Sequence, residues 1–174
     1  MIISNIDCVT HPAVSLGRTS RNAARIAAYQ ACVYDLLGER DVERLRDIPH
    51  HIHINRLEHS LRVSYIGYRI CRAFGRDGRD AARAGLLHDL YFYRASGRRH
   101  CAEHPHTALR NAARISPLNA VEQDAILRHM WPVAGAPPRY FESAAVCLAD
   151  KLATWYELYI QAVRWLIRPR LKSR

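Results

Sequence analysis

The chain reads as an all-α protein, a single-domain helical bundle, on three observations. Apolar residues recur at helical spacing over long stretches, as in Leu57, Leu61, Val63, Ile66, Ile70 and Phe74. Residues that cap or stop helices, Ser20, Gly38, Gly75 and Asn119 among them, punctuate those stretches. Alternation of apolar and polar residues is confined to HIHIN (51–55), which leaves a sheet little to be built from.

Taken in order, Ser20 is placed to cap a first helix that runs to Leu37 and is stopped by Gly38. Residues 56–74 form the next, ended by Gly75, and Asp77 or Asp80 opens a third. Pro105 suits a first helical turn, with His104 at or beside its cap. Asn119 caps 120–130 and Pro132 closes it; a final helix or pair of helices spans roughly Glu142 to Ile167, its part from 155 to 168 followed by a basic tail. The breaks GRDGR (75–79), SGRR (96–99) and WPVAGAPP (131–138) read as loops. With no repeat, low-complexity tract or linker, residues 1–174 are expected to form one domain, its core at about 50–155 and a helical extension at 20–37.

A chain of 174 residues can bury a core without disulfides or a structural metal. Its five cysteines are odd in number, scattered and never in a CxxC pair, so a reducing cytoplasm is the expected location. The first fifteen residues lack a basic segment followed by an apolar run, and no stretch approaches about 18 uninterrupted apolar residues, so neither a signal peptide nor a membrane span is expected. The net charge of +10 comes from 26 basic residues, of which all but Lys151 and Lys172 are arginine. They are spread along the chain rather than clustered, which makes nucleic acid an unfavoured partner.

Chemistry-bearing residues concentrate elsewhere. His59, His88, Asp89, His104, His129 and Asp150 each fall in a helix-like stretch, and mixed nitrogen and oxygen ligands from several elements can hold two divalent cations that activate water for attack on phosphorus. His59 shares an apolar face with Val63, Ile66 and Ile70; a buried, hydrogen-bonded histidine is the plain alternative. His88 shares a face with Ala81, Ala84 and Gly85, and Asp89 lies about 100° further round, so both reach one centre only near a helix end. Asp89 after AGLLH and Asp150 after AAVCLA enter apolar settings where an unpaired charge is costly; an arginine partner is the alternative for Asp150. His129 ends a helix, where the dipole alone would favour a histidine. The remaining histidines, His11, His50, His51, His53, His100 and His106, sit in polar or loop contexts.

The ordered set, His59, then LLHD (86–89), EHP (103–105), RHMWP (128–132) and ADK (149–151), resembles the HD-domain metal-dependent phosphohydrolases over about residues 50–155. The two intervening histidines match the branch with a binuclear centre. What the resemblance implies is that His59, His88, Asp89 and Asp150 hold one metal, and that Asp89 bridges to a second held also by His104 and His129. The GYP segment of the cyclic-dinucleotide hydrolases is missing, and the acidic pair that follows HD in the alarmone hydrolases is replaced by Leu90, Tyr91, Phe92 and Tyr93. The chain is similar to the small stand-alone bacterial HD proteins that carry HMWP after the doublet.

The expected activity is hydrolysis of a phosphoester in a nucleotide or other small phosphorylated metabolite, with Asp89 and Lys151 as catalytic residues. A ligand set without thiolate places manganese or iron ahead of cobalt, nickel, magnesium or zinc. Because ligating histidines must be neutral, activity is expected to fall below about pH 6. Arg62 and Arg128 are candidate phosphate clamps, and Trp131, with Tyr91, Phe92 and Tyr93, a candidate stacking surface for a base. Two rival readings stand beside this one: a basic helical nucleic-acid-binding module, and an interaction or membrane-surface role for the stripe of Trp155, Leu158, Tyr159, Ala162, Val163 and Leu166, which packs on the domain or on a second subunit.

Overall fold

The computed structural model of the chain describes residues 16–51, 54–93 and 97–167. Among these, seven α-helices follow one another: α1 (Leu16–Leu37), α2 (Arg40–Glu43), α3 (Arg56–Ala73), α4 (Arg79–Leu87), α5 (Arg98–Ile115), α6 (Ala120–Arg128) and α7 (Phe141–Ile167). A 3-10 turn at Arg44–Asp47 and an antiparallel pair, β1 (Pro49–His51) with β2 (Ile54–Asn55), join α2 to α3. The all-α reading stands, and the two short strands form where the sequence alternates.

Helices α3 and α6 open on complete capping boxes. The Asn55 side chain accepts from Glu58 N–H at 2.9 Å, and the Asn119 side chain from Glu122 N–H at 2.9 Å, while each glutamate returns to the backbone N–H of its asparagine. Other boundaries differ from the sequence reading. Helix α1 already runs at Leu16, so Ser20 is inside it, its propensity cost too small to end a helix. Neither Asp77 nor Asp80 caps α4; Gly78 does, at φ 78°, and Asp80 instead accepts from the Asn119 side chain at 2.9 Å. Pro105 lies inside α5 rather than in its first turn, where it removes one backbone hydrogen bond without ending the helix. The last helix is continuous from Phe141, and the stretch from 155 is its second half. The expected basic tail (168–174), His11 and His53 lie outside the described residues.

Val63, Leu86, Leu87, Leu90, Ile126 and Val146 are fully buried between α3, α4, α6 and α7. Each aliphatic side chain of that kind stabilises the fold by about 1.5–3 kcal/mol. The closest approach is between α3 and α4. A Cβ at Gly85 would sit 2.7 Å from Ser64 Cα and 2.9 Å from its nitrogen. Ser64 then donates to the Ala82 carbonyl at 2.6 Å and accepts from Tyr29 at 3.0 Å, which ties α1 to the same seam. On the other side of α4, buried Arg83 donates to Glu122 (2.8 Å), Asp35 (2.7 Å) and Ser116 (2.7 Å), satisfying a buried cation from three directions. No described helix is long and apolar enough to cross a membrane.

The α3–α4 contact is backbone against backbone, so it cannot relax by rotating a side chain. Gly85→Ala is expected to destabilise the fold by about 1–3 kcal/mol through overpacking, read as a lowered urea midpoint. An unchanged midpoint would contradict this account of the seam.

Candidate metal centre

The six candidate ligands come from five helices or their ends. Helix α4 stops at Leu87, and His88 caps it in helical conformation (φ −59°, ψ −31°). That ending lets His88 and Asp89, which a continuing helix would splay apart, address one centre. His129 caps α6 in the same way (φ −61°, ψ −26°). His59 comes from the first turns of α3, His104 from α5 and Asp150 from α7. His59, His88, Asp89, His104 and His129 are buried, and Asp150 is partly so.

These side chains meet. Asp89 Oδ1 lies 3.3 Å from His104 Nε2, 3.7 Å from His129 Nε2 and 3.8 Å from His88 Nε2. Asp150 Oδ1 lies 3.2 Å from His59 Nε2 and 3.8 Å from His88 Nε2. The structure thus brings together all six residues singled out from sequence, with His88 facing both carboxylates.

Hydrogen bonds on the far side of each ring set its tautomer. His88 Nδ1 donates to the Gly85 carbonyl (2.8 Å), His129 Nδ1 to the Ile126 carbonyl (2.7 Å) and His104 Nδ1 to the His100 carbonyl (2.9 Å). The first two acceptors are last-turn carbonyls that a helix leaves without a backbone partner. A carbonyl can only accept, so the Nδ1 of each ring carries the proton and, in the neutral ring, Nε2 is a bare lone pair. His59 is anchored differently: its Nδ1 lies 3.2 and 3.1 Å from the two carboxylate oxygens of Glu157, which Arg62 also binds. A carboxylate behind a histidine is the usual outer support of a metal-ligating ring.

Charge follows the same geometry. Burial favours the neutral ring at His59, but the hydrogen bonds to Asp150 and Glu157 outweigh it and raise its pKa to about 9. Burial opposes ionisation of Asp150 and Glu157, yet the hydrogen bond to His59 holds both carboxyls below their ordinary range. Burial lowers His88, and burial together with His88 pushes His129 down to about 3, so both are neutral near pH 7.

The donor set therefore fits a cation. His88 Nε2 is buried with no hydrogen-bond partner among the described residues. His104 Nε2 and His129 Nε2 approach to 2.9 Å, although in their neutral forms neither has a proton for the other. With both rings neutral, two facing lone pairs beside a buried carboxylate would repel, and a shared cation would turn that repulsion into ligation. Among the described residues, three groups of side chains have ligand atoms mutually within 4.8 Å and could hold a metal ion: His59, His88 and Asp150; His88, Asp89 and His129; and His50, His59 and Glu157.

The other candidates are placed as follows. Lys151 Nζ donates to Asp150 Oδ2 at 3.2 Å and to the His129 carbonyl, at the edge of the centre. Arg62 pairs with Glu157, behind His59. Arg128 pairs with Asp124 at 2.6 Å and donates to the Pro137 carbonyl at 2.8 Å. Trp131 is exposed, as is Tyr93; Tyr91 is buried beneath the Arg56 guanidinium and Phe92 lies beneath that of Arg44. The sequence reading missed four residues. Glu157 supports His59, and its signal is its place two turns after Asp150 on one helix. His50 stacks on His59 with ring centroids 4.1 Å apart, and His100 lies 3.1 Å from the Tyr91 hydroxyl and next to His104; local context alone makes both look like loop histidines. Buried Arg56 donates to the Tyr91 carbonyl, which pins the chain just after Asp89.

Among known proteins, no curated protein and no solved structure matches this chain. A family model does: that of the HD domain, over residues 56–155, more than half of the chain and the segment that holds all six converging side chains. The chain belongs to the HD domain family, whose members are typically metal-dependent hydrolases.

Proposed function

We propose that this protein is a metal-dependent phosphohydrolase that cleaves a phosphoester of a nucleotide or another small phosphorylated metabolite. The observation that supports it most is the convergence on Asp89 Oδ1 of three Nε2 atoms, from His88, His104 and His129, each on a ring whose Nδ1 is bonded to a backbone carbonyl, with the His59–Asp150 pair alongside. In this reading His59, His88, Asp89 and Asp150 would hold one divalent cation, and Asp89, His104 and His129 would hold a second. Imidazole and carboxylate without thiolate suit manganese or iron; the nearby Cys147 thiol is turned to the Trp131 carbonyl.

Bound divalent ions would supply Lewis acidity, which lowers the pKa of a water from 15.7 towards about 7 and offsets charge on phosphoryl oxygens. The chain's own residues do the rest. The buried rings and their backbone anchors keep the ligand atoms aimed at one small volume, so no reorganisation is needed as charge develops. Lys151, beside Asp150 at the partly exposed edge, is the cation best placed to meet a phosphoryl oxygen or to give a proton to the leaving group. Arg62 and Arg128 serve as phosphate clamps only by leaving Glu157 and Asp124, whereas exposed Trp131 is free to stack on a base.

Asp89→Ala should abolish both metal retention, by elemental analysis of the purified protein, and turnover across a panel of phosphorylated substrates. Metal content equal to that of the wild type would refute the ligand assignment. Glu157→Gln keeps the shape but weakens the support behind His59, and is expected to cost about 10–100-fold in metal affinity. Affinity within twofold of the wild type would show that Glu157 does not orient the ring.

The metal-free His59 ring holds a proton up to about pH 9, and ligation through Nε2 expels it. His88 and His129 are already neutral at pH 7 and release none. The pH limit therefore falls on His59, higher than the expected fall near pH 6, and affinity should rise about tenfold per pH unit towards 9. Calorimetry of manganese binding at pH 7 in buffers of different ionisation heat should register a released proton; none would contradict ligation by His59.

A further inference from the structure

Glu157 is the last buried residue of α7, and nothing from Leu158 to Ile167 is buried. The helix nevertheless stays strongly apolar: Arg164 is the single charged residue in that stretch. On its outer face Leu148, Leu152, Trp155, Tyr159, Ala162 and Leu166 succeed one another at alternating steps of four and three, and all six are exposed. That is the 3.5-residue period of a coiled-coil seam, sustained over almost three heptads. Asp150, Ala153 and Glu157, which look into the centre and the core, fall on the opposite side of the helix. One helix thus carries metal-site residues on one face and an unpartnered seam on the other.

The size and chemistry of the seam indicate what covers it. Trp155 is 78% exposed, Tyr159 64% and the flanking Trp165 73%. At about 150–250 Å² per aromatic ring when fully buried, these residues and the leucines beside them offer on the order of 1,000 Å² of apolar surface. The largest patch on an ordinary monomer is about 300–600 Å², and a stable complex buries about 800 Å² per partner. From Glu157 onward the positions flanking the seam, where charges would select a different partner, are apolar as well, Leu158 and Trp165 on one side and Val163 on the other, as is Tyr156 just before; the one flanking charge, Lys151, is turned to Asp150 and the His129 carbonyl. A helix built to lie on a lipid surface carries a strongly basic face along its own length, whereas from Leu158 to Ile167 the one basic residue is Arg164 and the other cations, Arg168, Arg170, Lys172 and Arg174, follow it in sequence. A seam of apolar residues at heptad period, whose one flanking charge is already paired within its own chain, is complementary to itself about a two-fold axis.

We infer that α7 is a dimerisation helix, its outer face packing on the same face of a second copy of this chain. The inference is independent of the metal centre, because the seam and the ligands lie on opposite sides of α7.

The test is sedimentation of the full-length, manganese-loaded chain from low to high micromolar concentration, with the wild type, Trp155→Glu/Tyr159→Glu, and Tyr34→Glu as a control at an exposed aromatic on α1. The wild type and the control should run at twice the 19.9 kDa chain mass, and the α7 double variant should associate at least about 30-fold more weakly. A wild type that stays monomeric, a double variant that dimerises as tightly as the wild type, or a monomer that binds vesicles of phosphatidylcholine and phosphatidylserine through α7 would overturn the inference. If the double variant loses its helical circular dichroism, hydrogen exchange of the wild type decides: amides of 155–167 should gain protection as concentration rises, and concentration-independent exchange there counts against the dimer.

Discussion

The structure depends on the burial of polarity that protein atoms alone leave in conflict. Asp89 lies in the core, facing three ring nitrogens whose rings are anchored through Nδ1 to backbone carbonyls, and His88 Nε2 has no hydrogen-bond partner among the described residues. Burial opposes ionisation of Asp89, yet the neighbouring His88, His104 and His129 offset it and hold its carboxyl well below the ordinary range. A bound cation would give these ring nitrogens and the carboxylate a common partner. The backbone is arranged to present them: α4 and α6 each stop at a histidine whose Nδ1 takes up one of the carbonyls the helix would otherwise leave unpaired.

That presentation reaches back into the packing. Gly85, whose carbonyl anchors His88, is also where α3 and α4 touch backbone to backbone, so the seam that sets the distance between His59 and His88 is the seam that sets the His88 ring. Arg83 then fixes α4 to α1 and α6 through Asp35 and Glu122. Arg56 holds the strand of chain after Asp89 through the Tyr91 carbonyl and ring. The outer support of His59 runs through Glu157 to Arg62, so a second layer of charge surrounds the first.

Much of this was legible in the sequence where the cause is local. Asn55 and Asn119 mark helix starts because their capping bonds lie within four residues, and the apolar runs before Asp89 and Asp150 advertise carboxylates in the wrong solvent. What failed had a non-local cause or a small energy. Ser20 and Pro105 carry local preferences that α1 and α5 override at the loss of little or of one hydrogen bond. Gly78 outcompetes two aspartates as a cap because the chain turns there at positive φ. Glu157, His50 and Arg56 have no anomalous neighbours in sequence; their roles come from α3, α7 and the turn after α4 meeting in space.

The central claim is that anchored Nδ1 atoms leave the Nε2 atoms of His88, His104 and His129 as ligands around Asp89. Diffraction from manganese-loaded crystals, with data on both sides of the manganese absorption edge, tests it most directly. Anomalous density bonded to Asp89 and to those Nε2 atoms is expected, with each Nδ1 still on its backbone carbonyl. Density coordinated elsewhere, or rings flipped to bind through Nδ1, would contradict it.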